Sequence, residues 1–238
     1  MADAPRLKHK YGVIDKEYGL FLATQPPEAD GPIYMVNLMK YHEVAQYNAE
    51  AGVEKPISGR EADDRYNPSS ILSRIGATIV FVGDVTSNHV GNEDWDRIAI
   101  VRYATRKSFI DMQSRQDFAD KHVHKAAGMQ RTIIVCCRPE NSALDSHGRP
   151  SGDDDRHLLM VVRQTTDRTS AFGSLPSAVN LAAEGTIIGD GRKWDTVQFI
   201  AAQSASEVAQ LANTLPNFES GTAYVMGIRA SMDAITQS

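Results

Sequence analysis

The residues in this chain best suited to chemistry cluster in one short segment. His122 and His124 flank Val123 and are followed by Lys125, giving HVHK. An imidazole titrates near neutrality, so it can take a proton from a bound molecule and return it elsewhere. The two rings alternate if the segment is extended and fall on adjacent sides if it is helical, so one can enter a pocket and the other does not. Arg102 closes the strand-like run RIAIVR and shares a face with Ile98 and Ile100. A buried arginine needs an anion, from the protein or from a ligand, and a strand-end arginine reaches water instead. With Lys40 and Lys125 it would make a locally cationic pocket in an acidic protein. Asn37 shares the Met35 face of its strand, where its amide either orients a substrate or binds backbone. Asn37 or Tyr66 could stabilise an oxyanion. His122, His124, Asn37 and Tyr66 are therefore the catalytic candidates. Arg102, Lys40, Lys125, Met35 and Trp95 are the binding candidates.

Metal binding is the competing reading of HxH. Asp117, Asp120 or His89 could complete a zinc or iron site. Pairs at this spacing are common by chance, and no feature demands an axial haem histidine. No metal and no cofactor is expected. No nucleotide-binding glycine motif and no Ser-His-Asp arrangement is present. Cys136 and Cys137 are adjacent, so on a strand they point to opposite faces and stay reduced.

The elements that position these groups follow from an internal repeat. The only two tryptophans, Trp95 and Trp194, are each followed by aspartate, and each opens a strand, a turn and a helix. PIYMVN (32–37) resembles HLLMVV (157–162), and GATIVFVGDV (76–85) resembles EGTIIGDG (184–191). Between the copies, residues 138–156 are rich in Pro, Gly, Ser and Asp, as a linker is. Each half reads β-α-β-β-α-β. The fold class expected is α+β, with tandem ferredoxin-like units at 1–137 and 157–238 packed sheet to sheet as an α+β barrel. Strands are expected at 33–38, 78–82, 97–103, 132–137, 158–162, 186–188, 196–201 and 223–228. Asn67-Pro68 begins one helix and Gly76 ends it. Thr105 caps another, and Ser204 with Glu207 makes a capping box for a third. Residues 42–64 are an insertion, helical over 43–51.

Comparing the halves shows what one copy lacks. Asn37 aligns with Val162 and Arg102 with Ala201, and HVHK has no counterpart. The first half is therefore the functional one and the second is structural.

The segments PIYMVNLMKY, SRIGATIVFVGDV, WDRIAIVRYATRKSFIDM and HVHKAAGMQRTIIVCCRP resemble the DUF1330 family of the dimeric α+β barrel superfamily, over about residues 32–139. That superfamily includes muconolactone isomerases, cofactor-independent monooxygenases and haem-binding branches. The resemblance implies a cofactor-independent isomerase acting on a small unsaturated carboxylic acid from aromatic ring cleavage. A ligand-binding barrel without catalysis and a metal- or haem-dependent monooxygenase are the alternatives. The expected partner is a small carboxylate, with a homodimer formed by exchange between chains as a second arrangement.

The chain has 238 residues, 42% of them apolar, enough for one large core or two small ones. Its net charge of -5, with both signs interspersed, argues against nucleic acid. No apolar run reaches the roughly 20 residues of a membrane span. The polar start MADAPRLKHKYG lacks an apolar signal core, so a cytoplasmic location is expected.

Overall fold

The computed structural model describes residues 8–48, 51–53, 55–140, 156–165 and 179–236. A short hairpin, β1 (Lys8–His9) and β2 (Gly12–Ile14), leads into α1 (Lys16–Ala23). The first half then runs β3 (Ile33–Tyr41), α2 (Gly59–Tyr66), α3 (Ser69–Arg74), β4 (Thr78–Val90), β5 (Arg97–Tyr103), α4 (Arg106–Gln113), α5 (Gln116–Gly128) and β6 (Met129–Pro139). The second half runs β7 (Arg156–Arg163), β8 (Val179–Gly189), β9 (Thr196–Ala202), α6 (Ala205–Thr214) and β10 (Ala223–Asp233). The helix expected between β7 and β8 lies outside the described residues, as does most of the 138–156 linker. No helix among the described residues is long and apolar enough to cross a membrane.

Eight strands close into one antiparallel barrel, in the order β8-β6-β3-β5-β4-β10-β7-β9 and back to β8. Each half contributes its strands in the same order: last, first, third, second. The second strand of each half reaches the last strand of the other, as β4–β10 and β8–β6. Closure removes free sheet edges and uses strands of a single chain.

The Trp-Asp repeat does the same work in both halves. Asp96 N–H donates to Met39 O (2.8 Å), and Asp195 N–H donates to Arg163 O (3.0 Å). The Asp96 carbonyl accepts from Val85, and the Asp195 carbonyl from Ala183. Each carboxylate then accepts a backbone N–H at or just past the end of the first strand, from Tyr41 (2.8 Å) and Thr165 (2.9 Å). One residue thus ties the first, second and third strands of its half together. The preceding tryptophans both turn inward against Tyr224, with ring centroids 5.8 and 4.9 Å away. This register also corrects the comparison of the halves. Met39 matches Arg163, so Asn37 matches Val161, not Val162.

The barrel interior is solid. Tyr34, Phe81, Trp95, Trp194, Phe199 and Tyr224 fill it with aliphatic neighbours. The barrel expected from the sequence is therefore filled by side chains and is not itself a ligand pocket. Bulky aromatic residues occupy the inward positions, as the close-packed interior of a small barrel requires.

The expectation of a helix over 43–51 is also corrected. Over the described residues 42–48 the chain is a non-helical strap whose amides satisfy a different helix. The carbonyls at the end of α5 have no partner within the helix. His42 N–H donates to Gly128 O (2.9 Å) and Gln46 N–H donates to Ala127 O (2.7 Å). The helical part of the insertion is α2, capped by the Ser58 side chain. Elsewhere the start and stop signals hold to within a residue. Pro68 is the N-cap of α3, Gly76 adopts φ +69°, and Thr105 forms a reciprocal cap with Ser108. The Ser204 hydroxyl caps α6, but the Glu207 carboxylate accepts from Gln203 N–H, one residue before the cap.

α2 crosses α5 at two glycines. A Cβ added to Gly128 would lie 2.3 Å from Gly59 O, and one added to Gly59 would lie 2.4 Å from Gly128 O. Backbone atoms cannot yield as a side-chain tip can, so Gly128→Ala must part the helices. Overpacking of this kind costs about 1–3 kcal/mol. Urea denaturation should show that loss, and a change below about 0.5 kcal/mol would mean the helices separate freely.

Candidate functional site

The cavity lies outside the barrel, between the outer sheet face of the first half and the helices that cover it. Its volume is about 810 Å³, within the range of pockets that hold small ligands. The floor is formed by outward positions of β3, β4, β5 and β6: Met35, Asn37, Met39, Ile79, Val82, Ala99, Val101 and Ile134. The short side chains of Ala99, Val82 and Val101 leave space above the sheet. Walls come from Tyr66 on α2, Phe109 and Met112 on α4, and Phe118, His122 and Lys125 on α5. Tyr11 and Ile14 come from the leading hairpin, and Ile187 and Ile188 from β8.

α5 settles the choice between the histidines. Residues two apart on a helix do not share a face. His122 lines the cavity, where its Nε2 lies 2.8 Å from the Tyr11 hydroxyl. Its ring packs against Phe118 (centroids 5.3 Å apart) and meets Tyr66 edge-on at 6.4 Å. His124 points away and pairs through Nδ1 with the Tyr47 hydroxyl at 2.8 Å. Burial, with the positive charges of Arg65 and Lys121, lowers its pKa. Lys125 is one turn beyond His122 on the same face, and its Nζ lies 5.4 Å from the centre of the Tyr66 ring.

Of the other predicted residues, Asn37, Met35 and Tyr66 line the cavity, and Arg102, Lys40 and Trp95 do not. Arg102 stands opposite Tyr34, a residue of the barrel core, so its side chain leaves the sheet on the other face from Asn37. Lys40 lies on that same side and pairs with Asp94 (2.9 Å) and Asp96 (3.0 Å). Trp95 belongs to the core. Strand parity explains Arg102 and Lys40: directly opposite residues share a face, and Asn37 stands opposite Ala99, whereas Trp95 lies in the connection between β4 and β5.

Several lining residues were missed. Tyr11 comes from a hairpin that carries no local signal of its destination on β8. Arg97, Asp63 and Asp64 also line the cavity. Arg97 donates to Asp84 (3.1 Å) and Asp64 (2.9 Å), so its charge is already met. Asp63 accepts from the Tyr41 hydroxyl at 2.7 Å. Arg97 was legible in principle, because it alternates with Ala99 and Val101 on the cavity face.

The electrostatics set which groups give protons and which carry charge. Burial raises the pKa of Tyr11, and burial with the nearby Tyr103, Asp63 and Tyr11 raises that of Tyr66, so both phenols stay protonated at neutral pH. Tyr11 can donate to a neutral His122 Nε2, and a protonated Nε2 can donate back to the phenol oxygen. Asn37 is almost fully buried and donates through Nδ2 to Met35 O (3.0 Å) and Ala99 O (3.4 Å), leaving Oδ1 without a bond among the described residues. Lys125 Nζ makes no hydrogen bond or ion pair among the described residues. Burial lowers its pKa below the ordinary 10.5, and Asp63 offsets part of that.

An ammonium desolvated without a partner is a cost to the fold. Lys125→Met should therefore raise the unfolding free energy by about 1 kcal/mol at pH 7, after about 0.5–1 kcal/mol of lost contact with the Tyr66 ring. Below pH 10.5 the unfolded lysine holds a proton that the folded one gives up more readily. The cost therefore fades as pH rises toward that value, and so should the gain. Thermal unfolding at pH 7 and pH 10 checks both; a variant less stable than wild type would contradict the burial argument.

Among the described residues, no group of three or more His, Cys, Asp or Glu is placed to hold a metal ion. Both cysteines are free, buried and on opposite faces of β6.

No family model matches the chain. No curated protein matches it. Two crystal structures of the RPA0582 protein of Rhodopseudomonas palustris are similar at 23% identity, one of methylated protein and one described as a protein of unknown function. The matches cover 53% of this chain and 93% and 95% of those chains, with TM-scores of 0.45 and 0.44.

Proposed function

We propose that this chain is a cofactor-independent isomerase that moves a proton between carbon and oxygen on a small unsaturated carboxylic acid, of the kind left by aromatic ring cleavage. The reading rests on one juxtaposition. A proton-passing pair (His122 with Tyr11) and an unpaired ammonium (Lys125) face one largely apolar cavity. The imidazole takes a proton from a carbon next to a carbonyl, and the resulting charge moves onto oxygen. Lys125 sets the sign of the pocket, so the substrate's most negative oxygen, of a carboxylate or of an enolate, lies against it. The Tyr66 hydroxyl and the Asn37 amide are the further polar groups to orient it. Return of the proton to a different carbon shifts the double bond.

The wider reading is of a DUF1330-like chain in which a ferredoxin-like unit was duplicated. The shared strand order and the matched Trp-Asp ties support it. The second copy has Val161 in place of Asn37 and Thr196 in place of Arg97, and its outer face forms an apolar cluster with Val208 of α6. It serves as the structural half.

A second reading, a binding protein without turnover, is favoured by the size and apolar floor of the cavity. Proton exchange separates the two. A panel of unsaturated mono- and dicarboxylic acids with an enolisable carbon is incubated with the protein in D2O and followed by NMR. Catalysed deuterium uptake supports isomerisation, and tight binding without uptake supports the second reading.

A further inference from the structure

We propose that Lys125 is a nucleophile that captures a carbonyl group of the ligand as an imine. The inference rests on the isomerase reading, keeps proton transfer by His122, gives Lys125 a covalent role in place of the ionic one, and narrows the substrates to those with an aldehyde or ketone. Three observations carry it. Lys125 Nζ projects into the cavity and has no carboxylate bonded to it, unlike Arg97 and Lys40, whose charges are paired. It lies 5.4 Å from the centre of the Tyr66 ring, on the wall of the cavity. His122, one helical turn earlier, is a proton carrier on the same wall; side chains three apart on a helix are roughly 5–6 Å apart at Cβ.

These surroundings suit an amine that must lose its proton before it can attack. A lysine in an apolar pocket is nucleophilic because desolvation favours the neutral form. Asp63 is the acidic group nearest in effect, and its hydrogen bond from Tyr41 leaves it engaged elsewhere. The steps balance without an oxidant or reductant. The neutral amine nitrogen bonds to the carbonyl carbon, the C=O electron pair moves to oxygen, and one N–H proton passes to that oxygen to give a carbinolamine. A second proton, delivered through His122 to the hydroxyl, lets the C–O bond break and water leave as the nitrogen lone pair forms the C=N bond of a protonated imine. His122 takes a proton from the adjacent carbon, and the electron pair runs into the C=N bond to give an enamine. Protonation at another carbon and hydrolysis return the isomerised carbonyl compound and the free amine. The imine nitrogen accepts the electron pair more readily than the carbonyl oxygen would, so the proton on the adjacent carbon becomes more acidic.

The test uses the full chain, benzaldehyde and sodium cyanoborohydride at pH 7, with labelled lysines located by peptide mass spectrometry. Benzaldehyde has no hydrogen on the adjacent carbon, so labelling does not depend on proton transfer. Lys125 should be labelled at least ~10-fold faster than the exposed Lys107, because an amine on an apolar wall is more readily neutral and nucleophilic. The preference should vanish in urea. Lys125→Met should lose that adduct alone, and Tyr66→Phe should keep it. Labelling of Lys125 no faster than Lys107 in the folded protein overturns the proposal. Deuterium uptake by an oxo-acid without a preferred adduct overturns the imine and leaves the proton-transfer reading standing. A preferred adduct without any uptake supports the imine and removes isomerisation.

Discussion

His122→Ala is expected to slow deuterium uptake by a bound substrate by about 10²–10⁴-fold, the usual contribution of a positioned general base. Far-UV circular dichroism should be unchanged, because His122 lies on the cavity face of α5 and outside the apolar clusters of the fold. The variant removes the only histidine among the described residues that lines the cavity. Two controls separate chemistry from packing. Tyr11→Phe keeps the imidazole and deletes one hydrogen bond, about 1 kcal/mol, so the loss stays below tenfold. His124→Ala should leave the rate unchanged, because that ring bonds Tyr47 away from the cavity. Wild-type uptake in His122→Ala would end the proposed mechanism, and an equal loss in His124→Ala would show that α5 had been disturbed as a whole.

What the sequence disclosed about this site and what it concealed follow from the range of the forces involved. Helix caps are local features, and they stand within a residue of where Asn67-Pro68, Gly76 and Thr105 put them. The eight strands are present in the expected order, but β4, β8 and β10 run five to eight residues beyond the alternating runs that marked them, because barrel pairing extends them. The Trp-Asp repeat was legible because one aspartate bonds three strands in each half, a task that fixes both residue type and position. The choice of face was not legible. On β3 the set Tyr34, Val36 and Leu38 is as apolar as the set Ile33, Met35 and Met39, so hydropathy cannot say which faces the barrel. The register of β3 on β5 decides it, and that register is a long-range property. It places Asn37 with Ala99 and Arg102 with Tyr34, which separates two residues that had been read into one pocket.

The histidine pair shows the same division. That only one ring could enter a pocket followed from spacing, but which one depended on where α2 and the strap at 42–48 meet α5. The strap concealed itself because EVAQYNAEA has the composition of a helix. Its amides were taken instead by the carbonyls at the end of α5, a tertiary demand that outweighs a propensity of a few tenths of a kcal/mol per residue. Tyr11 was hidden for a related reason: β2 pairs with β8, some 175 residues away, so no local pattern could point to it. Asn37 in the floor and His122 and Lys125 in the wall face one cavity over the first half, and the register sets Val161 at the position of Asn37 in the second.

The largest effect on stability should come from Arg106, which none of the chemical arguments used. Arg106 opens α4 and is 2% exposed. Its guanidinium forks onto Glu184 of β8, with Nε 2.9 Å and 3.1 Å from the two carboxylate oxygens, and donates to Ala29 O at 3.2 Å. Tyr18 of α1 donates to the same carboxylate at 2.9 Å, and Asp30 accepts from the Arg106 backbone N–H at 2.6 Å. One charge therefore joins the leading segment, a helix of the first half and a strand of the second. Arg106→Met leaves Glu184 and Asp30 without it. Breaking a buried pair by removing one partner costs about 3–5 kcal/mol, because the remaining charge is stranded, and urea denaturation should show a loss of that size. Arg106→Met with Glu184→Gln should recover part of it, since a neutral amide can still accept from Tyr18. Burial raises the Glu184 pKa, but Arg106 and Tyr18 outweigh it and hold the value below the ordinary 4.5. The stabilisation from this group is thus complete above pH 4.5 and is lost as pH falls through the lowered value. In Arg106→Met that acid-side loss should disappear, with stability less dependent on pH below 4.5 than in the wild type. A single-variant cost under about 1 kcal/mol would mean that Glu184 reaches water once released, and that the halves are held by the barrel ladders alone.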